Sequence, residues 1–190
     1  EKDRVVTNGM SFHARDGKNA NAAVVVSVSD ADFGGDAREA IAFQRALETR
    51  AFQAGGGGYT APAENVRSFL NGEGRLRITS VQPTYPRGVH AADLGALLPD
   101  ELASALRTGL SAFERKLRGY TAPEAVLTGL ETRTSSPVRL VRGENMESVD
   151  LPGLYPCGEG AGYAGGIVSA AVDGVRVART IAEYYRPSRA

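Results

Sequence analysis

The residues most able to do chemistry lie near the C-terminus, in a glycine-rich stretch from 158 to 166. Its glycines are Gly158, Gly160, Gly162, Gly165 and Gly166. Three of them form a G-x-G-x-x-G pattern, in which missing side chains let a phosphate or a planar cofactor reach the backbone. Tight packing of a helix on a strand also needs small residues, but five glycines exceed that need. The stretch therefore predicts a turn that contacts a cofactor.

Glu159 and Ile167 complete this predicted cofactor-binding turn. Glu159 follows a predicted strand at 154 to 157, where a carboxylate can bind a sugar hydroxyl; a helix dipole would equally favour an acidic residue there. Ile167 opens a predicted helix whose small apolar residues indicate burial. The acidic residue that holds a ribose normally follows on a second strand, whereas Glu183, which has that spacing, lies in the helix. The turn should contact a cofactor whose nucleotide is held elsewhere.

A second polar group lies at 131 to 136, between two strand-like runs. It contains Glu131, Arg133, Ser135 and Ser136. An arginine flanked by hydroxyls can bind an anionic substrate, or it can shape the turn through internal hydrogen bonds, and the sequence favours neither. The polar loop from 8 to 21 leaves the same choice open. The substrate-side candidates are Asn8, Ser11, Arg133, Ser135 and Ser136.

Other reactive side chains are sparse. Cys157 is predicted to be a buried small hydrophobe, because no second cysteine is present to resolve an oxidised thiol. His13 and His90 are isolated and lack partners at metal-ligand spacing, so no metal site is predicted. His90 is expected in a loop or at a helix start. The G-x-S-x-G elbow of hydrolases is absent, and no catalytic acid or base can be named.

Composition and charge disfavour several function classes. Lys plus Arg (22) balances Asp plus Glu (22), so no basic surface is expected for nucleic acid or an anionic membrane. A single cysteine excludes an internal disulfide and fits a cytoplasmic location. The N-terminus, Glu-Lys-Asp-Arg, does not resemble a signal peptide. The start on Glu rather than Met, followed directly by an apolar strand, favours either a piece of a longer protein or the scar of a processed tag.

The elements that must position these residues are predicted from apolar periodicity. Strands are expected near Val5 and Val6, at 23 to 28, 75 to 80, 125 to 133 and 138 to 142. The run at 23 to 28 is β-branched and apolar, which is typical of a central strand. Gly55 to Gly58 form a flexible connector.

Helices are predicted at 36 to 54, at 62 to 70 and at 99 to 119. The last is expected to bury one stripe: Leu102, Leu106, Leu110, Phe113 and Leu117. Together these elements predict an α+β fold with a mixed sheet and packed helices. Residues 1–142 would form a substrate or insert-type domain. Residues 143–190 would form a strand, turn and helix from a flavin-binding domain.

The chain resembles the C-terminal portion of a bacterial family of uncharacterised FAD-dependent dehydrogenases, also called NAD-utilising dehydrogenases. The resemblance covers nearly the whole chain. It is carried by Val-Val-Thr-Asn-Gly-Met-Ser at 5 to 11, Asn-Ala-Asn-Ala-Ala at 19 to 23, Glu-Thr-Arg-Thr-Ser-Ser-Pro-Val-Arg at 131 to 139 and, above all, the segment from 154 to 171.

This resemblance implies an FAD-dependent oxidoreductase of unknown substrate, with NAD(P)H as a candidate electron donor. Glu159 would meet the ribityl chain or pyrophosphate. The backbone from Gly162 to Ile167 would approach the pyrimidine edge of the flavin, where the helix N-terminus would stabilise negative charge.

The N-terminal Rossmann unit of that family, which holds the ADP half of FAD, is absent from these 190 residues. The chain alone is therefore expected neither to bind FAD tightly nor to transfer hydride. Its partner would be the missing Rossmann region. The alternatives are an independent phosphate- or nucleotide-binding module and an oligomerisation module.

Overall fold

The computed structural model describes residues 1–186, which form an α+β protein as the sequence predicts. The helices are α1 (Asp30–Phe33), α2 (Ala37–Ala54), α3 (Val66–Asn71), α4 (Asp100–Lys116) and α5 (Ile167–Tyr184), with a 3-10 turn at Gly95–Leu97. The strands are β1 (Ala61–Asn65), β2 (Val89–Ala91) and β3 (Val126–Thr128).

The chain divides into two compact units. The first contains Glu1–Gly34 and Ala42–Thr132, and the second contains Gly35–Ile41 and the chain from Arg133 onward. The sheet belongs to the first unit, and the glycine-rich turn belongs to the second. A domain boundary after residue 142 stays a prediction.

The sheet is mixed, with β1 in the centre. Strand β1 pairs in parallel with β2, with Ala61 opposite Val89, and antiparallel with β3, with Ala63 opposite Thr128. Every residue of β1 is buried. The helix predicted at 62 to 70 is therefore wrong over its first half, because pairing on both sides holds this segment as a strand and α3 begins only at Val66.

Two apolar clusters hold the first unit together. One contains Val5, Leu47, Ala51 and Leu130. The other contains Val66, Phe69, Leu94 and Leu110. Helix α2 contributes Leu47 and Ala51, one turn apart, so the predicted helix at 36 to 54 is confirmed together with its core-facing spacing.

Helix α4 confirms the helix predicted at 99 to 119 but buries less of its stripe. Leu110 is buried, whereas Phe113 is 39% and Leu117 58% exposed. Leu117 caps the helix with φ −128° and ψ 81°, which takes its side chain off the helical spacing. Phe113 instead contacts Tyr120 edge to face, with the ring centroids 5.4 Å apart. The stripe was therefore predicted too long at its C-terminal end.

The predicted central strand at 23 to 28 is wrong for this chain. No residue in that range belongs to a strand, and Val25 is 64% exposed. The run has strong β propensity, but no neighbouring strand lies beside it within residues 1–186 to accept its backbone hydrogen bonds.

The other predicted strands are shorter than expected or absent. Strand β3 confirms the middle of the run at 125 to 133. Residues 75 to 80 form no strand, because Asn65 satisfies the backbone of Arg77 with its side-chain amide, at 2.6 and 3.1 Å. Near Val5 the backbone makes isolated hydrogen bonds instead of a ladder, such as that from the Val5 N–H to the Glu48 carbonyl at 3.2 Å. Residues 138 to 142 contribute one bridge, between Arg142 and Ser148.

Candidate functional site

Helix α5 follows the glycine-rich turn directly, as the sequence predicts, but no strand precedes the turn. Residues 154 to 157 have no strand pairing within the described chain. The turn is held by side chains instead of by a sheet, and the two that matter most are Arg142 and Asp173.

Arg142 and Asp173 form a buried, bidentate ion pair, here called the Arg142–Asp173 clamp. The guanidinium nitrogens lie 2.6 and 3.0 Å from the two carboxylate oxygens. The side chains are only 8% and 11% exposed. Asp173 also accepts the Gly158 N–H at 2.9 Å, and Arg142 donates to the Pro156 carbonyl at 2.6 Å. The clamp therefore fastens the start of the turn to α5.

The electrostatics of the clamp follow from these contacts. The Arg142 hydrogen bond, aided by the Gly158 amide, lowers the pKa of Asp173 from 3.8 to about 2, against the opposing effect of burial. The same hydrogen bond raises the pKa of Arg142. Both groups remain charged at neutral pH. Sequence reasoning missed the clamp, although an aspartate within an apolar helix was a signal that could have found it.

Tyr163 holds the other side of the turn. Its hydroxyl accepts the Arg142 backbone N–H and donates to the Leu140 carbonyl, both at 3.1 Å. The Arg142 guanidinium lies 3.7 Å from the centroid of the Tyr163 ring, at cation–π distance. Arg139 donates to the Gly162 carbonyl at 3.0 Å. The backbone of the turn is therefore fixed on both sides before any ligand arrives.

The five glycines fall into two groups. Gly158 and Gly162 have φ values of 71° and 80°, which favour glycine, and a methyl group at Gly162 would lie 2.6 Å from the Val138 carbonyl oxygen. Gly160, Gly165 and Gly166 have neither constraint, because a methyl group at each would meet nothing closer than 3.6 Å. The fold thus requires two of the glycines and leaves the other three unexplained by internal packing.

Unpaired backbone N–H groups lie at and directly after two of these three glycines, Gly165 and Gly166. From residue 164 to residue 168, no backbone N–H makes a hydrogen bond within residues 1–186. The N-cap of α5 is Gly166, which supplies no side-chain cap. This arrangement presents several donors and the positive end of the helix dipole to an acceptor.

The start of α5 is exposed, which corrects the prediction of a buried helix. Ile167 is 88% and Val168 76% exposed. In the described part of α5, only Asp173 and Val177 are buried. The apolar side chains at the start of α5 are therefore not covered within residues 1–186.

Two further predictions concern residues beside the turn. Cys157 is exposed, so the prediction that it is a buried hydrophobe is wrong; its neighbours Pro156 and Gly158 are the buried ones. Glu159 is half-buried, and within residues 1–186 its carboxylate has no hydrogen-bond partner. That carboxylate is available to a ligand.

Some substrate-side candidates meet the turn. The Ser136 hydroxyl lies 2.7 Å from the Val138 carbonyl and 3.3 Å from that of Gly160. The Ser135 hydroxyl would lie 3.9 Å from a methyl group at Gly165. Arg133 is exposed and belongs to the same unit. The sequence pattern separates Ser135 and Ser136 from the glycine-rich turn, whereas in the structure they lie beside Gly165 and Gly160.

The remaining candidates belong to the first unit. The Asn8 side-chain amide donates to Glu131 at 3.0 Å. Ser11 is exposed. His90 lies in β2, not in a loop or at a helix start, and its Nδ1 is 3.0 Å from the Ala54 carbonyl oxygen. In the described chain, no three His, Cys, Asp or Glu side chains gather as metal ligands, and no helix is long and apolar enough to cross a membrane.

Glu64 is a fully buried carboxyl on β1 that sequence reasoning also missed. One oxygen accepts the Leu94 N–H at 2.7 Å, and the other has no partner within residues 1–186. Loss of hydration raises the pKa of Glu64, although the Leu94 amide opposes this. Burial therefore favours the neutral form of this carboxyl more than in a solvent-exposed glutamate.

Comparison with known proteins places the chain in a family. A family model described as "FAD-dependent protein, C-terminal domain-like" matches residues 1–134. An uncharacterised protein of Clostridium beijerinckii is 48% identical over 186 residues, which are 97% of this chain but 35% of that protein. The chain thus spans about a third of the length of this relative. With more than half of its length matched by the family model, the chain belongs to the FAD-dependent protein, C-terminal domain-like family.

Proposed function

We propose that this chain is the C-terminal, substrate-side part of a cytoplasmic FAD-dependent oxidoreductase, and that its glycine-rich turn contacts the flavin end of the cofactor. One observation carries the proposal. Unpaired backbone donors at 164 to 168 adjoin glycines that the fold does not itself require. Membership of an FAD-dependent family, based on the match to residues 1–134, supports FAD as the ligand.

The residues of the turn fit FAD in three ways. Gly160, Gly165 and Gly166 leave the backbone open to a planar ring, because they have no side chains and a methyl group at each would meet nothing closer than 3.6 Å. The N–H groups from 164 to 168 can donate to the carbonyl and nitrogen acceptors of the pyrimidine edge. Glu159 offers a carboxylate to ribityl hydroxyls.

When bound, FAD supplies the hydride chemistry, and the chain supplies position and charge. The Arg142–Asp173 clamp fixes the turn, so that its donors need no rearrangement when the ligand arrives. The positive end of α5 favours negative charge at the contacted edge. Ser135 and Ser136 lie beside the turn and are the best placed of the substrate-side candidates. NAD(P)H is the electron donor that we propose, and the dehydrogenase activity belongs to this same proposal.

The adenine and pyrophosphate contacts would come from a Rossmann region outside these 190 residues. The chain alone should therefore bind FAD weakly, and the complete polypeptide that contains it should bind FAD tightly. Titration of both with FAD, followed by flavin fluorescence, tests the proposal. Submicromolar binding by the 190 residues alone would contradict the claim that the adenine and pyrophosphate contacts lie outside them. A complete polypeptide without flavin affinity would contradict the proposed function.

Two glycine-to-alanine variants of the complete polypeptide test the turn itself. Gly165→Ala places a methyl group where no protein atom comes closer than 3.9 Å, so it should leave folding intact but lower FAD affinity about tenfold. Gly109→Ala is the matched control, because a methyl group at this α4 position meets nothing within 4 Å. Equal affinities in the two variants would remove Gly165 from the cofactor site.

The unpaired donors also support a second function, that of an independent phosphate- or nucleotide-binding module. Titration of the 190-residue chain with ADP and with pyrophosphate separates the two. Micromolar or tighter binding of either anion, without any upstream region, would favour the independent module. The exposed Ile167 and Val168 favour self-association as a third possibility, which light scattering of the 190-residue chain tests.

A further inference from the structure

Residues 22 to 28, here called the valine segment, have unused capacity for strand pairing. The segment reads Ala-Ala-Val-Val-Val-Ser-Val. None of its backbone N–H or C=O groups makes a hydrogen bond within residues 1–186. Val24 and Val26 are half-buried, whereas Val25, Ser27 and Val28 are exposed. From Val24 to Ser27 the burial therefore alternates with the two-residue period of a strand that has one face packed.

The apolar surface around the valine segment is larger than the segment. Val25 is 64% exposed, and the nearby loop carries exposed Met10 and Phe12. The Asn21 side-chain amide donates to the Met10 carbonyl at 3.3 Å, which ties that loop to the start of the segment. Water can satisfy the free backbone groups, but it leaves this apolar surface uncovered at a cost in free energy.

The segment also lacks the features that keep an edge strand from pairing. Native edge strands carry a lysine, a proline or an inward charge that blocks association. From Asn21 to Ser29 the chain has no charged residue and no proline. An open, uncharged valine edge would aggregate, so its partner must be present in every copy of the protein. A covalently attached strand meets that requirement without depending on concentration.

We propose that the valine segment becomes a sheet strand by pairing with a strand from the part of the complete polypeptide outside these 190 residues. The relative from Clostridium beijerinckii is long enough to provide it, since the match to this chain covers 35% of its length. The pairing does not depend on flavin binding. It shares with the proposed function only the longer polypeptide, so either can fail while the other stands.

Amide hydrogen exchange, measured on the 190-residue chain and on the complete polypeptide, tests the pairing. Amides at 24 to 28 should exchange freely in the chain alone and about 100-fold or more slowly in the complete polypeptide. Equal exchange in both would overturn the proposal. Protection that appears in the chain alone and grows with its concentration would also overturn it, because the partner would then be a second copy.

A charge placed on the segment provides an independent measurement. Val25→Lys should leave the urea midpoint of the 190-residue chain unchanged, because the side chain is 64% exposed there, and should lower that of the complete polypeptide. Leu117→Lys is the control, since Leu117 is 58% exposed and lies between Lys116 and Arg118. The pairing would be contradicted if Val25→Lys lowered the urea midpoint of the complete polypeptide no more than Leu117→Lys does.

Discussion

Asp173→Asn should destabilise the second unit strongly, because it removes the charge that the Arg142–Asp173 clamp depends on. The variant keeps the size of the side chain and retains one oxygen for the Gly158 N–H. It leaves the Arg142 guanidinium 8% exposed and without its counter-ion. A buried charge that has lost its partner is among the most costly single changes in a folded protein.

Two quantities set the expected loss of stability in Asp173→Asn. Lowering the pKa of Asp173 from 3.8 to about 2 corresponds to about 2.5 kcal/mol of stabilisation at neutral pH. Removing one member of a buried pair costs about 3 to 5 kcal/mol. Because the Asn oxygen still accepts a hydrogen bond, we expect the lower part of this range, about 3 kcal/mol.

Urea denaturation of the 190-residue chain at pH 7, followed by circular dichroism, measures this loss. With an m value of about 2 kcal/mol per M, the midpoint should fall by about 1.5 M. Asp150→Asn is the control, because this exposed carboxylate makes no hydrogen bond within residues 1–186. A loss below about 1 kcal/mol, or one equal to that of the control, would refute the account of the clamp.

The pH dependence gives a second readout of the same clamp. Since the folded-state pKa of Asp173 lies below its unfolded value of 3.8, its stabilisation is present above pH 4 and is lost as the pH falls towards 2. Between pH 5 and pH 2 the wild-type chain should therefore lose about 2 kcal/mol of unfolding free energy, which Asp173→Asn has already lost at pH 7. Parallel pH profiles for the two proteins would show that the carboxylate is not linked to folding.

Three further predictions concern the rest of the chain. Gly162→Ala should cost about 2 to 3 kcal/mol by urea denaturation, because φ is 80° and the methyl group would contact the Val138 carbonyl oxygen; a cost equal to that of Gly165→Ala would contradict this reasoning. Because the folded-state pKa of Glu64 is raised, the unfolding free energy of the wild type should fall as the pH rises above about 4.5, and Glu64→Gln should remove this fall. The same pH profile in both proteins would show that Glu64 ionises normally. Leu110→Ala should cost about 3 kcal/mol, because Leu110 is buried in the second cluster, and Leu117→Ala, the exposed control, should cost well under 1; similar costs would contradict the packing.

Periodicity predicted the long helices well, because an amphipathic helix makes its hydrogen bonds within itself. Helices α2, α4 and α5 were therefore located from local sequence alone. A strand depends on a partner that the local sequence does not contain. Residues 61 to 65 became the central strand although their sequence has low β propensity, and the valines at 24 to 26 formed none.

The candidate site was located from its glycines but was not understood from them. The pattern identified the turn, yet it did not distinguish Gly162, which the fold requires, from Gly165, which it does not. That distinction depends on backbone torsions and on Val138, 24 residues away in sequence from Gly162. Arg142 and Asp173 were missed for the same reason, because each becomes significant only through the other.

The central claim is that the donors from 164 to 168 contact FAD. Amide hydrogen exchange of the complete polypeptide, compared with and without bound FAD, measures this contact directly. We predict that these amides exchange more slowly when FAD is bound, while amides in α4 are unaffected. Unchanged exchange at 164 to 168 in a polypeptide that demonstrably holds FAD would show that the cofactor binds elsewhere.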